Sequence, residues 1–467
     1  MAITSAIGHC RARDHYRDGF MHKILYLTSE LTNRDWDTRL LMADHAVSAG
    51  YTVVVGQQWQ TLFSLQQLPR GLLMIKTMNQ IQGNAVAAVR QMGHLVAVMD
   101  EESLPLATDQ DIVGEFLAKG YSEPAVKYSN IFLANSPLHK ACVEKAIPGL
   151  QGKIIVTGNP RVDLLTAGRR ARYAAAAEAL RAKHGRFILF NSNTASRNSI
   201  WSRKEFLDIQ VRAGALDVNN AESVALFQEQ LDFEEANARI FEAMLTWCAA
   251  QATGHTIVVR PHPSEGREYW DKFAAENPNV QVVWGTPHVP YMMAADLVVH
   301  TNCTTGIEAA VLDRPSLNLM PMPNSYWAKI YFASKVSATF NDLESAQAAV
   351  RTFLQTGGGP LLPNEEHRAE LRRYYPCVVE NTSAANMVGV MMKMLTFAGA
   401  QENPTTDAIM KALAPYHLEG TTRKKFSKSA EDAVADFNAI RGISGMKRPV
   451  TFTPIADSLF LLQPQWG

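Results

Sequence analysis

Short apolar runs alternate with longer amphipathic stretches along most of the chain, a pattern typical of strands that alternate with helices. The first runs cover residues 23–28 and 51–55, and a helix is predicted between them at 39–49. Further elements of this half are predicted at 73–76, 82–92, 95–99 and 131–134. Strands separated by helices of this length predict βαβ units and a parallel sheet.

A second series of the same kind follows an alanine-rich, polar helix at residues 167–184, which has the composition of a connector. Its elements are predicted at 186–191, 233–250, 256–259, 280–283, 297–300, 306–312 and 316–319. The predicted fold class is therefore α/β, with two doubly wound, Rossmann-like halves.

The predicted organisation has five parts. Residues 1–20 form a disordered leader, 21–166 the first domain, 167–184 the connector and 185–400 the second domain. The character of the sequence changes over residues 401–467, which we expect to form an appendage packed on the second half.

The amino-acid composition argues against several classes of protein. The 467 residues include 45 Lys+Arg and 45 Asp+Glu, and zero net charge argues against a general nucleic-acid-binding protein. Five separated cysteines without a C-x-x-C pattern argue against a disulfide framework and a zinc site. No apolar run has the ~18 residues of a membrane span, so a cytoplasmic protein is predicted. The basic cluster at 422–428 leaves peripheral contact with anionic lipid of the inner membrane as a second interpretation.

A His-Pro turn follows a predicted strand of the second half, where ligands of open α/β sheets bind. It contains Arg260, His262 and Ser264, and two flanking prolines keep His262 out of regular structure. A guanidinium and an imidazole at this place suit a phosphate group. The alternative is a structural histidine in a turn.

A hydroxyl-rich helix start follows the predicted strand at 297–300. Thr304, Thr305 and Gly306 are placed to offer backbone amides to an anion. Glu308 lies in the first turn, where a carboxylate can accept the hydroxyls of a ribose. A plain helix cap is the alternative interpretation.

Asn191 and Asn193 follow the first strand of the second half and are expected to line the cleft between the halves. The signatures GxxxxGK[ST], HExxH, GxSxG and GxGxxG after a strand are missing from the sequence. Kinase-like, zincin, hydrolase-fold and ordinary NAD-binding functions therefore lose support. No metal site is predicted.

Candidate catalytic carboxylates occur in both halves. Asp100, Glu101 and Glu102 crowd the end of a predicted strand, where one of them could act as a base or a nucleophile. A solvated acidic turn is the alternative. Asp232, at the start of a long helix, is a further candidate whose alternative role is a helix cap.

Trp36 and Arg39 lie near the first strand, in a segment that mixes charges with an aromatic ring. This mixture suits a carbohydrate surface, although Arg39 could instead cap the end of the sheet. With Glu102 they form the candidate acceptor-binding set.

Together these segments resemble the bacterial surface carbohydrate biosynthesis protein family of GT-B-type glycosyltransferases, over roughly residues 21–395. The chain is similar to the β-Kdo transferases of capsule and lipopolysaccharide assembly. It is more distantly similar to polysialyltransferases and teichoic-acid polyol-phosphate transferases. The segments that carry the resemblance are DEES at 100–103, GNPRVDLL at 158–165, NSNT at 191–194, RPHPSE at 260–265 and HTNCTTGIEA at 300–309.

The resemblance implies a cleft between two domains, with the acceptor bound by the first and the nucleotide-sugar donor by the second. His262 would contact the nucleotide phosphate and act in catalysis, and Thr304, Thr305 and Glu308 would hold the CMP moiety. The full expected donor set is Asn191, Asn193, Arg260, His262, Ser264, Thr304, Thr305, Gly306 and Glu308.

The resemblance leaves two positions open for the catalytic carboxylate. Polysialyltransferase-like relatives point to Asp100 or Glu101 in the first half. Retaining Kdo transferases point to an aspartate upstream of the His-Pro turn, which is Asp232 here.

The expected function is transfer of a 2-keto sugar acid, Kdo, from a CMP-activated donor to a bacterial surface glycan of capsule or lipopolysaccharide O-antigen. CMP is a good leaving group, so the CMP-sugar is a co-substrate and no further cofactor is required. The expected partners are this donor, a glycan or lipid-linked glycan acceptor and other glycan-assembly enzymes, and no nucleic acid. The alternatives are a UDP-sugar 2-epimerase-like enzyme, a polyol-phosphate transferase, or a non-catalytic glycan- or nucleotide-binding component of an export assembly.

Overall fold

The structure is a computed structural model that describes residues 20–251, 254–413 and 426–465. Nearly all of the predicted leader at 1–20 lies outside these ranges, as does most of the basic cluster at 422–428. Two sheets organise the described chain, and each is covered by helices on both faces.

The first sheet has eight strands in the order β13-β14-β2-β1-β3-β4-β5-β6. Strands β1 to β6 are parallel, whereas β13 and β14 form an antiparallel hairpin on the edge of β2. The strands are β1 Ile24–Ser29, β2 Thr52–Gln57, β3 Leu72–Ile75, β4 Leu95–Val98, β5 Ile131–Ala134, β6 Ile154–Val156, β13 Val450–Ala456 and β14 Leu459–Pro464.

The second sheet has six parallel strands in the order β12-β11-β10-β7-β8-β9. They are β7 Phe187–Asn191, β8 Thr256–Arg260, β9 Val280–Val282, β10 Leu297–His300, β11 Ser316–Leu319 and β12 Ala338–Phe340. The predicted α/β fold, with two Rossmann-like domains that face each other across a cleft, is confirmed.

The helices connect and cover these strands. They are α1 Trp36–Ser48, α2 Gln58–Ser64, α3 Gln80–Gln91, α4 Asp111–Gly120, α5 Glu123–Tyr128, α6 Pro137–Ala146, α7 Pro160–Leu165, α8 Ala174–His184, α9 Arg203–Ala213, α10 Ala221–Gln251, α11 Arg267–Glu276, α12 His288–Ala294, α13 Thr304–Val311, α14 Tyr326–Ile330, α15 Leu343–Thr356, α16 Glu365–Tyr374, α17 Cys377–Glu380, α18 Ser383–Phe397, α19 Thr406–Ala412 and α20 Ala430–Ser444. Short 3-10 turns cover Glu101–Ser103, Pro148–Leu150, Arg170–Tyr173 and Ala333–Lys335.

Local sequence explains where these elements begin. All six residues of β1 are buried, so this strand reads as a continuous apolar run, as expected for a parallel strand covered on both faces. The side chains of Asn79 and Ser136 accept hydrogen bonds from the first-turn amides of α3 and α6. Asn159 caps α7, which has Pro160 as its first residue.

One helix begins earlier than predicted and another was not predicted at all. In both cases the residues concerned bury little or none of their surface. Helix α10 begins at Ala221 rather than at residue 233, and most side chains of its first three turns are at least partly exposed. Helix α9, which was not predicted, has no buried residue. Without an apolar period, the sequence pattern contains no signal for these helical turns.

The prediction that residues 401–467 pack on the second half is wrong for the residues that the structure describes. Strand β14 pairs with β2, and α20 packs on α1 in the first half. Phe426 and Phe460 lie on Trp36, at ring-centroid distances of 5.3 and 5.8 Å. A Cβ at Gly56 would collide with the backbone oxygen of Ser458, so glycine allows the hairpin to approach β2. The hairpin covers what would otherwise be an exposed sheet edge.

Helix α18 packs in a different half from the one predicted. Its residues belong to the predicted second domain at 185–400, but its buried face lies in the core of the first half, where Met387 and Met391 are fully buried. The chain therefore crosses back to the first half before its last helices and the hairpin.

We expect Phe460→Ala to lower the free energy of unfolding by about 3–5 kcal/mol, because it removes a buried ring from the joint between hairpin and first half. Phe397→Ala is the matched control, since that ring is 91% exposed and Phe460 is 1% exposed. Denaturant unfolding of both variants tests the role of the hairpin. Equal losses in the two variants would contradict it.

Candidate active site

The candidate site lies where the two sheets reverse their strand order. The first sheet reverses between β1 and β3, and the second between β7 and β10. Ligands of open α/β sheets bind outside the carboxyl ends of the strands at such points. The residues after these four strands and after their neighbours β4 and β8 are therefore the ones to consider.

A buried glutamate fixes the His-Pro turn against the neighbouring strand end. Glu265 accepts hydrogen bonds from Ser192 Oγ at 2.8 Å, from the Thr194 amide at 2.8 Å and from Trp270 Nε1 at 2.6 Å. These contacts tie the turn after β8 to the turn after β7. Glu265 is thus a positioning residue within RPHPSE to which the sequence analysis gave no role.

His262 presents a hydrogen-bond donor to the cleft. Its side chain is exposed, and Nδ1 accepts a hydrogen bond from the Ser264 amide at 3.2 Å. Desolvation within the cleft and the positive charges of Arg34 and Arg260 lower the pKa of His262 to about 4. The imidazole is therefore neutral at pH 7, and because Nδ1 is an acceptor the proton is on Nε2. A neutral donor of this kind suits a phosphate oxygen.

Arg260 lies beside this turn, and two nitrogens of its guanidinium group donate hydrogen bonds to a backbone carbonyl. Its Nε and Nη2 donate to the Thr286 carbonyl at 3.1 and 2.7 Å. Burial lowers the pKa of Arg260 to about 10, which leaves it charged at pH 7. Among the described residues no carboxylate forms an ion pair with it, so its charge is available to an anion.

The start of α13 provides backbone amides at the end of β10. Cys303, at the N-cap, makes no side-chain capping hydrogen bond, and Thr304 and Thr305 are partly exposed. A Cβ at Gly306 would collide with the ring of His300, so glycine lets the helix start close to the strand. An uncapped helix start attracts anions through its free amides and its dipole.

Glu308, in the first turn of α13, contacts two basic side chains. Its Oε1 accepts from Arg161 Nε at 2.8 Å and Nη2 at 2.6 Å, and lies 3.1 Å from His288 Nε2. Burial would raise the pKa of Glu308, but the charge of Arg161 and the bond with His288 outweigh it and lower that pKa to about 2. Because Arg161 belongs to α7, this ion pair joins the two halves.

The three carboxylates after β4 have different surroundings. Asp100 is buried and accepts hydrogen bonds from Tyr121 and from the Glu102 amide, and burial raises its pKa to about 7. Glu101 is buried in an ion pair with Arg39 at 2.6 Å. Neither carboxylate is open to the cleft, so the structure does not support their prediction as catalytic residues.

Glu102 is the accessible member of this group. Its side chain is 56% exposed, and Oε1 lies 3.7 Å from Arg34 and 4.0 Å from Lys76. The charges of Arg34 and Glu102 have opposite effects on the pKa of His262: Arg34 lowers it and Glu102 raises it. The sequence analysis assigned Glu102 to acceptor binding, and its exposure is compatible with either binding or proton transfer.

Asp232 is not brought to the cleft. Its side chain is exposed on α10 and accepts a hydrogen bond from Gln228 Nε2, one turn earlier, at 2.9 Å. Helix α10 begins upstream of the predicted start, so Asp232 is a surface residue in mid-helix rather than at the helix start.

Trp36 and Arg39 are both buried, and Trp36 also forms part of the wall of a cavity between the halves. Trp36 is 1% exposed, and its Nε1 donates to Asp436 at 3.0 Å. Arg39 is fully buried and donates to the Thr28 carbonyl at 2.7 Å as well as to Glu101. The capping alternative for Arg39 is thereby the one that the structure shows.

The larger cavity lies between the halves and has an empty volume of about 780 Å³. Its walls come from the loop after β1, from α7 and the turn after it, and from the loop before α12, and they include Arg34, Arg161, Tyr173, His288 and Glu308. Asn33 Nδ2 donates to the Gly285 carbonyl at 2.8 Å, a second direct contact between the halves. The ion pair of Arg161 with Glu308 thus forms part of the cavity wall.

A smaller cavity lies at the ends of β7 and β10. Asn193 lines it, as predicted for the cleft, whereas Asn191 donates to Thr305 Oγ1 at 3.3 Å and so ties the two strand ends together. Ser264 contributes mainly its backbone, since its carbonyl accepts from the Ile200 amide at 3.0 Å.

The residues that sequence reasoning missed are those paired over long distances in the chain. Arg161 was quoted within GNPRVDLL without a role, and its partner Glu308 lies 147 positions later. His288 and Lys76 were not singled out. A buried charge is favourable when an opposite charge lies beside it, but the sequence alone does not show that Arg161 is the cation beside Glu308.

The described residues contain no group of three or more His, Cys, Asp or Glu side chains placed to hold a metal ion. None of their helices combines the length and the apolar character needed to cross a membrane. Lys428, the last residue of the basic cluster, is paired with Asp436 at 2.5 Å.

Neither the protein-family models nor the curated protein sequences compared with this chain match it. Solved structures match over most of its length at low identity. The wall teichoic acid polymerase TagF with CDPG is 9% identical with a TM-score of 0.48, over 83% of this chain and 92% of that one. Anabaena HepE with UDP-glucose is 12% identical with a TM-score of 0.42, over 80% and 99%.

A third match is the UDP-GlcNAc 2-epimerase from Neisseria meningitidis bound to UDP-GlcNAc. It is 11% identical with a TM-score of 0.46, over 79% of this chain and 99% of that one. Similarity at this level concerns the architecture and carries no argument about substrate or mechanism.

The ion pair of Glu308 predicts a pH dependence of stability. Its folded pKa of about 2 lies below the ordinary 4.5, so its contribution is complete above pH 4.5 and is lost as the pH falls towards 2. We expect Glu308→Gln to remove up to about 3 kcal/mol of the acid-induced fall in unfolding free energy. Denaturant unfolding at several pH values below 5 measures this. The exposed Glu366→Gln is the control, and identical pH slopes in all three proteins would contradict the pairing.

Proposed function

We propose that the protein is a glycosyltransferase that moves a sugar from a nucleotide-activated donor to a bacterial surface glycan. The observation that carries this proposal is the division of chemistry across one cleft. The second half offers donors suited to a phosphate, and the first half offers an accessible carboxylate at the facing strand ends. The resemblance of RPHPSE and HTNCTTGIEA to GT-B-type glycosyltransferases supports the same assignment.

The donor phosphate would lie at the end of β8 and the start of α13. His262 Nε2–H, the charge of Arg260 and the dipole at the start of α13 all favour negative charge there. These groups are positioned before the reaction, so they stabilise the phosphate as the bond from sugar to phosphate oxygen breaks. Glu308 would accept the hydroxyls of the ribose.

The acceptor hydroxyl would be activated by Glu102. Its carboxylate is exposed to the cleft and is held loosely by Arg34 and Lys76. In a single displacement the acceptor oxygen bonds to the anomeric carbon, its proton passes to Glu102, and the nucleotide phosphate leaves. This assignment replaces Asp100, Glu101 and Asp232 and corresponds to inversion at the anomeric carbon.

The finer proposal is a CMP-activated 2-keto sugar acid, Kdo, as donor. It rests on the resemblance to β-Kdo transferases, and the cations Arg34, Lys76 and Arg260 around the cleft suit a ligand with both a phosphate and a carboxylate. A UDP-sugar 2-epimerase-like enzyme, a polyol-phosphate transferase and a non-catalytic binding component are the competing functions. Nucleotide preference and turnover separate them.

We expect calorimetric titration to show binding of CMP in preference to CDP, UDP and ADP. His262→Ala should weaken CMP binding by about 10- to 100-fold, because it removes one hydrogen bond to a charged group. Because the side chain of His262 is exposed, we expect the variant to fold as the wild type does, and His367→Ala on α16 is the matched control. Preference for UDP or CDP would favour the epimerase-like or the polyol-phosphate function, and no response to any nucleotide would contradict the donor site.

We expect Glu102→Gln to lower kcat by about 10²–10⁴-fold while CMP binding is retained, because the substitution removes a base and not a phosphate contact. Asp232→Asn should leave kcat unchanged, since that side chain is exposed on α10. Turnover of synthesised CMP-Kdo with a glycan acceptor measures both variants. Loss of activity in Asp232→Asn alone would return the catalytic role to that residue.

A further inference from the structure

The larger cavity between the halves adjoins the proposed nucleotide site at Glu308. This residue lines the cavity, whereas His262 and Arg260, which we assign to the phosphate, lie outside its wall. In a nucleotide the ribose lies between the phosphate and the base. A nucleotide with its phosphate at the start of α13 and its ribose on Glu308 therefore has its base on the side of this cavity.

Glu308 can accept a ribose hydroxyl without giving up its contacts within the protein. The hydrogen bonds from Arg161 and the contact with His288 all involve Oε1. Among the described residues, no hydrogen bond of Glu308 uses Oε2, so this oxygen is available to a ligand. The ion pair that joins the halves is therefore compatible with ribose binding at the mouth of the cavity.

The size of the larger cavity favours a single ring. Its accessible space is about 160 Å³, and an apolar cavity of ~150 Å³ takes up a benzene molecule. A pyrimidine has one six-membered ring, whereas a purine has two fused rings. The apolar side chains of Leu164, Leu165, Val289 and Pro290 line the cavity and can pack on the faces of a flat ring. A pyrimidine base is thus the part of a nucleotide that suits this space.

The first half and the C-terminal segment supply the polar part of the wall. It contains Asp37 at the start of α1, Arg172 in the turn at 170–173, and Lys428 and Asp436. Asp436 accepts hydrogen bonds from Trp36 Nε1 at 3.0 Å, Arg172 Nη2 at 2.8 Å and Lys428 Nζ at 2.5 Å. These bonds already satisfy Asp436, so it has little capacity for a ligand.

Asp37 is the carboxylate of this wall that can still accept a hydrogen bond. The Tyr173 hydroxyl group donates to it, and Arg172 Nε lies 3.7 Å away, beyond hydrogen-bond distance. Burial raises the pKa of Asp37, and the charge of Arg172 offsets only part of this effect. An ionised carboxylate has about four acceptor positions, so a ligand can donate to Asp37, whose side chain is 22% exposed.

We propose that this cavity binds the base of the donor nucleotide and that Asp37 selects cytosine by accepting a hydrogen bond from its amino group. The proposal rests on the proposed function, which supplies the ribose contact at Glu308. In uracil a carbonyl oxygen replaces the amino group, and an ionised carboxylate has no donor to offer it. The first half therefore takes part in recognising the donor, which the resemblance assigned to the second half alone.

The test is calorimetric titration of the full chain with CMP, UMP, AMP and the 5′-monophosphate of pyrimidin-2-one riboside. The last of these has the ring of cytosine without the amino group, so it tests the proposed hydrogen bond without a change in the protein. We expect CMP to bind about tenfold or more tightly than each of the others. UMP and the pyrimidin-2-one nucleotide lack the donor, and AMP has a second ring.

The protein-side test is Asp37→Asn. A side-chain amide can present either its oxygen or its NH₂ group to the ring, so we expect the preference for CMP over UMP to fall to about threefold or less. Asp271→Asn is the matched control, because Asp271 is exposed on α11, and it should keep the preference of the wild type. A purely structural role of Asp37 would weaken the binding of CMP and UMP by the same factor and leave the preference unchanged.

The outcomes separate this inference from the proposed function. Binding of CMP that is no tighter than that of UMP or of the pyrimidin-2-one nucleotide would overturn the inference and leave a nucleotide-dependent transferase standing. An unchanged preference in a folded Asp37→Asn variant would overturn the role of Asp37. If that variant does not fold, the pyrimidin-2-one nucleotide on the wild type still decides. Failure of every nucleotide to bind would contradict the proposed function, and this inference with it.

Discussion

The ion pair between Arg161 and Glu308 is the interaction on which the candidate site depends. It is buried and joins α7, at the end of the first half, to the first turn of α13 in the second. Each charge is favourable there only while the other is present, because an unpaired buried charge is costly. Together with other contacts between the halves, such as the hydrogen bond from the Ala107 amide to the Ile330 carbonyl at 2.8 Å, the pair holds the two halves against each other. It also holds the carboxylate that we assign to the ribose, so ligand binding and the contact between the halves involve the same atoms.

The chemistry of the cleft follows from this arrangement. On the second half, the clamp made by Glu265 holds the His-Pro turn beside the end of β7, and His262 presents Nε2–H to the cleft. In the first half, Asp100 is hydrogen-bonded to Tyr121, and Glu101 is ion-paired with Arg39. Glu102 is therefore the accessible carboxylate of the three. A phosphate requires hydrogen-bond donors, which the second half provides. An acceptor hydroxyl requires a base, which the first half provides.

The fold and the polar turns at the strand ends of the second half could be predicted from the sequence, because each is marked by residues that are close together in the chain. Apolar runs mark buried strands, and the prolines around His262 mark a turn. Contacts between distant segments leave no such local signal. The pairing of Arg161 with Glu308 and the difference in exposure between Glu101 and Glu102 depend on tertiary packing. For the same reason, an apolar hairpin such as β13–β14 could have covered either sheet, and its position on β2 could not be read from its own residues.

A crystal structure of the protein with CMP tests the central claim most directly. The account predicts the phosphate within hydrogen-bond distance of His262 Nε2 and the start of α13, and the ribose hydroxyls on Glu308. It also predicts that the carboxylate of Glu102 faces the phosphate across the cleft. A nucleotide bound on the first half, or one whose phosphate lies away from both His262 and α13, would contradict it.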